Sequence, residues 1–230
     1  MEENQNLKII LIGDSDAGKT SLIIKFKTDR FTQDSVNTVG IDLNVEKNVK
    51  INNQFYDIAI WDTAGQEIYQ KMVKFSSKDA NTAMICFDLS DSSSIDNVAS
   101  WIQLLREEAP QNIQMVIIGT KKDLPNKYTQ EQLQQIQIAW KANFNNDFPI
   151  FLTSSKTGEG IKEAFQSAFE LGAKAKQDHN LCPDQQAYKS FKISTSQIQL
   201  QQNQKVIALI SNTTTPKGSE LNPRSESSCC

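Results

Sequence analysis

The stretch GDSDAGKTS, residues 13–21, places glycines at both ends of a short loop and follows them with Lys-Thr. Gly13, Gly18, Lys19 and Thr20 fit the pattern G-x-x-x-x-G-K-[ST], set between an apolar run, LKIILI, and a helical one, SLIIKF. In that setting the pattern is a phosphate cradle. Glycines let backbone N–H groups curl around phosphate oxygens, and the helix N-terminus adds partial positive charge. Lys19 can reach the β- and γ-phosphates, and the Thr20 hydroxyl can ligate Mg2+. Ser15, Asp16, Ala17 and Ser21 complete the cradle. Asp16 is the anomaly, a second carboxylate after Asp14 in a loop that must attract anions.

The loop alone does not choose between ATP and GTP. Three further stretches do. In WDTAGQE (61–67), Asp62 can hold Mg2+ through water, Gly65 can offer its backbone N–H to a γ-phosphate, and Gln66 is placed to orient an attacking water. In GTKKD (119–123), Asp123 can accept two hydrogen bonds, from the N1–H and exocyclic amine of guanine. Adenine has no such pair of donors. Lys121 can lie along the base and brace the phosphate loop. In TSSK (153–156), a backbone N–H around Ser154 and Ser155 can donate to guanine O6, and Lys156 can cover the base.

These residues must be carried by something rigid. LKIILI (7–12), YDIAIW (56–61), TAMICFDL (82–89), IQMVIIG (113–119) and PIFLTS (149–154) read as strands, several apolar throughout as if covered on both faces. Between them, Ile95, Val98, Ile102 and Leu105 recur at helical spacing behind the capping candidates Asp91 and Ser92. TQEQ (129–132) is a capping box ahead of Leu133, Ile136, Trp140 and Phe144. A last helix is expected from about Glu159 to Lys176. Strand–helix alternation of this kind implies an open, mostly parallel α/β sheet that binds ligands at its strand C-terminal ends.

Composition narrows the alternatives. The chain has 230 residues, 38% hydrophobic and 22% charged, with a net charge of -3, which argues against a nucleic-acid partner. The N-terminus MEENQN reads as neither a signal nor a transit peptide, and Glu2 excludes N-myristoylation. No apolar run approaches the ~18 residues of a membrane span. Cys86, in MICFDL, reads as a buried small hydrophobe. With no CxxC pair and His179 as the lone histidine, zinc binding and Ser-His or Cys-His catalysis are disfavoured. After Lys176 the chain turns rich in Gln, Asn, Ser and Thr, so residues 1–176 are expected to form the domain and 177–230 a flexible tail. Within the tail, KVIALI (205–210) is either a chance apolar patch or a docking site for a partner.

Taken together, the chain from about Leu7 to Lys176 resembles a Ras-superfamily small GTPase, most like the Rab family. The resemblance implies a P-loop GTPase domain with a six-stranded, mostly parallel sheet and helices on both faces. It implies slow hydrolysis of GTP to GDP with Mg2+ as cofactor. In it Phe31 would stack against guanine, and Thr38 would bind Mg2+ and γ-phosphate. The metal set would be Thr20, Thr38 and, through water, Asp62, with Gln66, Lys19 and Thr38 as the catalytic group. Residues 31–45 would form switch I and about 63–78 switch II, with Trp61 displaying the bound state to effectors. Expected partners are an exchange factor, an activating protein, prenylation escort and dissociation-inhibitor proteins, and effectors. The expected role is in vesicle-mediated traffic, on the cytoplasmic face of endomembranes with a cytosolic pool.

The ending favours Rab within that superfamily, since Cys229-Cys230 matches the paired cysteines on which many Rabs are prenylated. One lipid anchors only marginally. The tail carries Lys189, Lys192, Lys205, Lys217 and Arg224 against Asp178, Asp184, Glu220 and Glu226, too little charge for a polybasic anchor, so a second prenyl group would serve. A flexible tail of this length spans roughly 40 Å. The alternative is a free C-terminal dithiol. Three departures stand out: Thr120 replaces the usual Asn, FSSKDAN (75–81) replaces an aromatic-Arg-Gly-Ala pattern, and Asp16 replaces a small residue. Asp16 would pair with Lys121 or Lys156, or be solvated. Two rival functions share much of the pattern, a non-hydrolysing nucleotide-bound membrane adaptor and a P-loop ATPase or nucleotide kinase.

Overall fold

The computed structural model describes residues 4–32, 38, 40–63 and 70–181. The first strand, β1 (Gln5–Gly13), shows why its sequence is apolar without a break. Leu7, Ile9 and Leu11 enter one core, while Ile10 and Ile12 enter another on the opposite face. β4 (Thr82–Asp88) is buried along its whole length for the same reason. With β2 (Ile41–Ile51), β3 (Gln54–Thr63), β5 (Gln114–Thr120) and β6 (Ile150–Leu152) they form a six-stranded sheet in the order β2-β3-β1-β4-β5-β6. All pairings are parallel except the β2–β3 hairpin.

Two layers of helix cover the sheet. On one face α1 (Lys19–Thr28) and α6 (Ile161–Leu181) supply Leu22, Ile23, Phe165 and Phe169. Phe26 stacks on Phe165 with ring centroids 4.1 Å apart. On the other face lie α2 (Gln70–Ser77), α3 (Ser92–Asp96), α4 (Val98–Glu108) and α5 (Gln130–Phe144), contributing Val73, Ile95, Ile102, Leu105, Leu133 and Trp140. Each fully buried aliphatic side chain contributes about 1.5–3 kcal/mol. The domain therefore rests on two cores sharing one sheet.

The structure refines several boundaries. The helical spacing from Ile95 to Leu105 belongs to two helices joined at Asn97, with the Asp91 carboxylate accepting from Ser93 N–H as the first cap. The expected capping box is present, Thr129 and Gln132 bonding reciprocally at the start of α5. α6 continues past Lys176 to Leu181, and Gln177 Nε2 there donates to Gln54 Oε1 at 3.0 Å and to Tyr56 Oη at 3.2 Å. β2 alternates Ile41, Leu43, Val45, Val49 and Ile51 with polar residues, yet as an edge strand it leaves Leu43, Val45 and most of its polar residues exposed. Gly65, Gln66, the 205–210 run, Cys229 and Cys230 lie outside the described residues.

Candidate functional site

The parallel strands β1, β3, β4, β5 and β6 all end on one edge of the sheet, and each end delivers part of the site. β1 runs into the phosphate loop. Gly13 has φ +139°, and a Cβ there would fall 2.1 Å from the Cys86 carbonyl oxygen of β4, so only glycine lets the loop leave the sheet at this point. Gly18 adopts a left-handed conformation at the N-cap of α1. No side chain caps that helix end and no acid stands in its first turn, so its N–H groups and partial positive charge are offered to an incoming anion.

Lys19 is 6% exposed, and its Nζ donates to the carbonyls of Gly13 (3.0 Å) and Asp14 (2.6 Å). Burial holds its ammonium below the usual lysine range, opposed by the negative field of Asp62, Asp14 and Asp16. Cys86 lines the same floor, and burial pushes its thiol up to about 12, so it packs as a neutral hydrophobe.

β3 ends with Asp62, 2% exposed. Its Oδ2 accepts from Thr20 Oγ1 at 2.6 Å and from Thr38 Oγ1 at 3.4 Å, and the two hydroxyls are 2.6 Å apart. Asp62 Oδ1 is buried with no partner among the described residues. Burial raises the Asp62 carboxyl above the ordinary range, the Thr20 bond and the Lys19 charge working against it. A buried carboxylate with an orphaned oxygen beside two hydroxyls is a set of hard oxygen donors, the chemistry Mg2+ selects. Among the described residues no group of His, Cys, Asp or Glu offers a rival metal site.

At the far end, Thr120 closes β5 and is buried. Its Oγ1 lies 2.9 Å from the Ala17 carbonyl and 3.0 Å from that of Phe87, so the one hydroxyl proton bridges the phosphate loop to the base-side strands. Ser154 Oγ donates to Asp123 Oδ1 at 2.6 Å, which orients the carboxylate at the rim. Ser154 N–H is taken by the Glu159 carbonyl, so Ser155 offers the next N–H in the turn. Lys121 Nζ lies 2.7 Å from Asp88 Oδ2. Burial alone would raise the Asp88 carboxyl, but Lys121 and two bonds from Ser90 outweigh it and hold it below the usual range. Lys156 is exposed at the rim, and Phe31, 39% exposed, is not drawn into either core.

The two loop acids have different surroundings. Asp14 accepts from Trp101 Nε1 and Asn97 Nδ2, each at 2.9 Å. Asp16 is exposed with φ 59° and has no partner among the described residues, Lys121 being engaged by Asp88. Neither Asp88 nor the Asn97–Trp101 pair was singled out in the sequence. Asp88 hides in a buried strand, and the Asn97–Trp101 spacing matches that of any helix face.

Beside the site, Leu43 of β2 pairs in register with Trp61, whose ring lies 6.3 Å from that of Phe75, while Lys8 Nζ sits 4.1 Å over the Trp61 ring. Leu43, Val45 and Phe75 are exposed, leaving an apolar strip across β2, β3 and α2.

A doubly wound sheet with a phosphate loop at its centre and a base-reading rim defines the small GTPase class. The Ras family model matches residues 8–173. The chain belongs to the Ras family, with its G-domain fold, and is most like the Rab members. It is 32% identical over 167 residues to the Ras-related protein RabG2 of Dictyostelium discoideum, covering 73% of this chain and 82% of that one. It is 31% identical over 160 residues to the Ras-related protein Rab-13 of Canis lupus familiaris (70% and 76%), and 35% over 162 to the GTP-binding protein ypt3 of Schizosaccharomyces pombe (70% and 72%). Members of the family are GTPases that bind GTP and GDP, generally with Mg2+. Among the described residues no helix is long and apolar enough to cross a membrane.

Proposed function

We propose that this chain is a Rab-type switch that binds GTP and GDP with Mg2+, hydrolyses GTP slowly, and regulates vesicle-mediated membrane traffic. The observation that carries this reading is the meeting of Thr38 with Thr20 and Asp62. It brings a hydroxyl from the expected switch I onto the phosphate loop and the end of β3, where only a γ-phosphate-sensing contact has an obvious use. Thr20, Thr38 and Asp62 would hold Mg2+, which when bound offsets charge on the phosphate oxygens.

In this reading the loop N–H groups from Gly13 to Ser21 bind the phosphates, and Lys19, held by its two carbonyl acceptors, turns its third Nζ hydrogen to a phosphate oxygen. Asp123 reads the guanine edge, Lys121 and Lys156 flank the base, Ser155 N–H meets O6, and Phe31 stacks edge-on against guanine. Gln66 orients the attacking water, and Gly65 N–H holds the γ-phosphate. Arg106 is committed to the Phe144 carbonyl and ring, and Arg30 lies exposed beyond α1, so neither supplies charge at the phosphates. Unassisted hydrolysis is therefore slow, and an activating protein adding charge in trans accelerates it ~10³–10⁵-fold. The strip of Leu43, Val45, Trp61 and Phe75 faces effectors. Residues 182–230 serve as a tether prenylated at Cys229 and Cys230, with the escort, dissociation-inhibitor and exchange proteins of a Rab cycle.

The test is the nucleotide that copurifies with the protein, its stoichiometry, and single-turnover hydrolysis of bound GTP by the wild type and Gln66→Leu. The expected result is one guanine nucleotide per chain, hydrolysed by the wild type and much more slowly by the variant. GTP bound but never hydrolysed would instead make the chain a membrane adaptor, and displacement by ATP would make it an ATPase or nucleotide kinase.

A further inference from the structure

We propose that Asp14, clamped by Trp101 and Asn97, is a positioning residue that sets how firmly the phosphate loop grips a nucleoside diphosphate; this rests on the guanine-nucleotide reading above. Asp14 is bound at two levels. Its carboxylate takes one donor on each oxygen, Trp101 Nε1 on Oδ1 and Asn97 Nδ2 on Oδ2, both at 2.9 Å. Its backbone carbonyl accepts from Lys19 Nζ at 2.6 Å and from Ala17 N–H at 3.3 Å. The residue that anchors the buried lysine is thus itself tied to a helix outside the loop.

The clamp is stiff because both donors come from one short piece of chain. Asn97 is the joint between α3 and α4, and Trp101 stands on the next turn, its N–H bonded to the Asn97 carbonyl at 3.1 Å. The N-terminus of α4 has no side-chain cap and no acid in its first turn, so the Asp14 carboxylate supplies negative charge there from across the fold. Two fixed donors also settle where that charge goes. Turned toward α4, the carboxylate is held by two donors away from the anion site. Released, it would be free to swing over the phosphates and repel them, and the carbonyl holding Lys19 would move with it. Asp16, the other loop acid, has no such clamp among the described residues.

GDP release, followed with a fluorescent GDP analogue on the full chain, tests this in four proteins: wild type, Trp101→Phe, Asp14→Ala and the double variant. Trp101→Phe keeps a smaller aromatic ring and removes the donor. It should speed GDP release about tenfold, the effect of losing one hydrogen bond to a charged group. In the Asp14→Ala background the same substitution should change nothing, because its partner is gone. Affinity for GMP, which lacks the β-phosphate, should fall less than twofold in Trp101→Phe, since base recognition is untouched. Asn97→Ala should act in the same direction. Release at the wild-type rate in both Trp101→Phe and Asn97→Ala overturns the proposal. So does equal acceleration by Trp101→Phe with and without Asp14, or a parallel loss of GMP affinity, each of which marks general loosening. If the wild type itself takes up no GDP, the nucleotide reading has failed, a result visible before any variant is compared.

Discussion

The phosphate end and the base end of the site hold their functional groups by different means. At the phosphate end the charged groups are buried, with Lys19 6% and Asp62 2% exposed, and their partners are main-chain carbonyls and threonine hydroxyls. At the base end Asp123 and Lys156 stand exposed on the rim, Asp123 braced by a single bond from Ser154. Thr120 is the joint between them, its hydroxyl set between Ala17 of the loop and Phe87 of β4. In the proposed reading the difference follows from what each end would recognise. Polyphosphate charge is best met by fixed donors in a dry throat, where electrostatics are strong. A base edge needs only a few directional bonds and must remain able to leave.

Substitutions can break or sharpen that contrast. The largest effect is expected from Lys19→Met, which removes a buried cation from beside Asp62 and should weaken GDP binding roughly 10²–10³-fold, read by equilibrium titration. Asp123→Ala should cost about 100-fold in GDP affinity and also narrow the preference for GDP over ADP, an effect Lys19→Met should not have. If both variants leave the preference for guanine unchanged, the division of labour between the two ends is wrong. Thr120→Val keeps the shape but strands the Ala17 and Phe87 carbonyls. It should speed GDP release about tenfold and lower the melting temperature, because it loosens both ends at once. The smallest effect belongs to Asp16→Gly. It should slow GDP release by at most about tenfold, less at high salt, since an exposed charge is screened and glycine suits the left-handed backbone there. Unchanged or faster release would make Asp16 a bystander.

Much of this was legible in the sequence because it depends on local chemistry. Five strands announced themselves by apolar runs, since both faces of the sheet are covered. β2 was not among them, although Ile41, Leu43, Val45, Val49 and Ile51 alternate with polar residues, because its first half fell within the expected switch I. The phosphate loop, Asp62, Thr120 to Asp123, and Ser154 could be picked out as motifs, and the structure brings them to one sheet edge. Phe31 could have been a core aromatic or a ligand contact from sequence, and its exposure removes the first reading. The pairing of Lys121 with Asp88 was not legible, because it joins the ends of two neighbouring strands.

The two acids of GDSDAGKTS mark the boundary between the two kinds of information. The residue types and spacing of 13–21 determined by themselves that a phosphate loop forms, because glycine freedom, a lysine and a threonine at fixed offsets are a local requirement of phosphate binding. They could not tell Asp14 from Asp16. That was decided only by the tertiary structure, which brings Asn97 and Trp101 of a helix packed on β1 and β4 against one carboxylate and leaves the other in solvent. A charge is defined by its neighbours, and neighbours distant in sequence are assigned by folding.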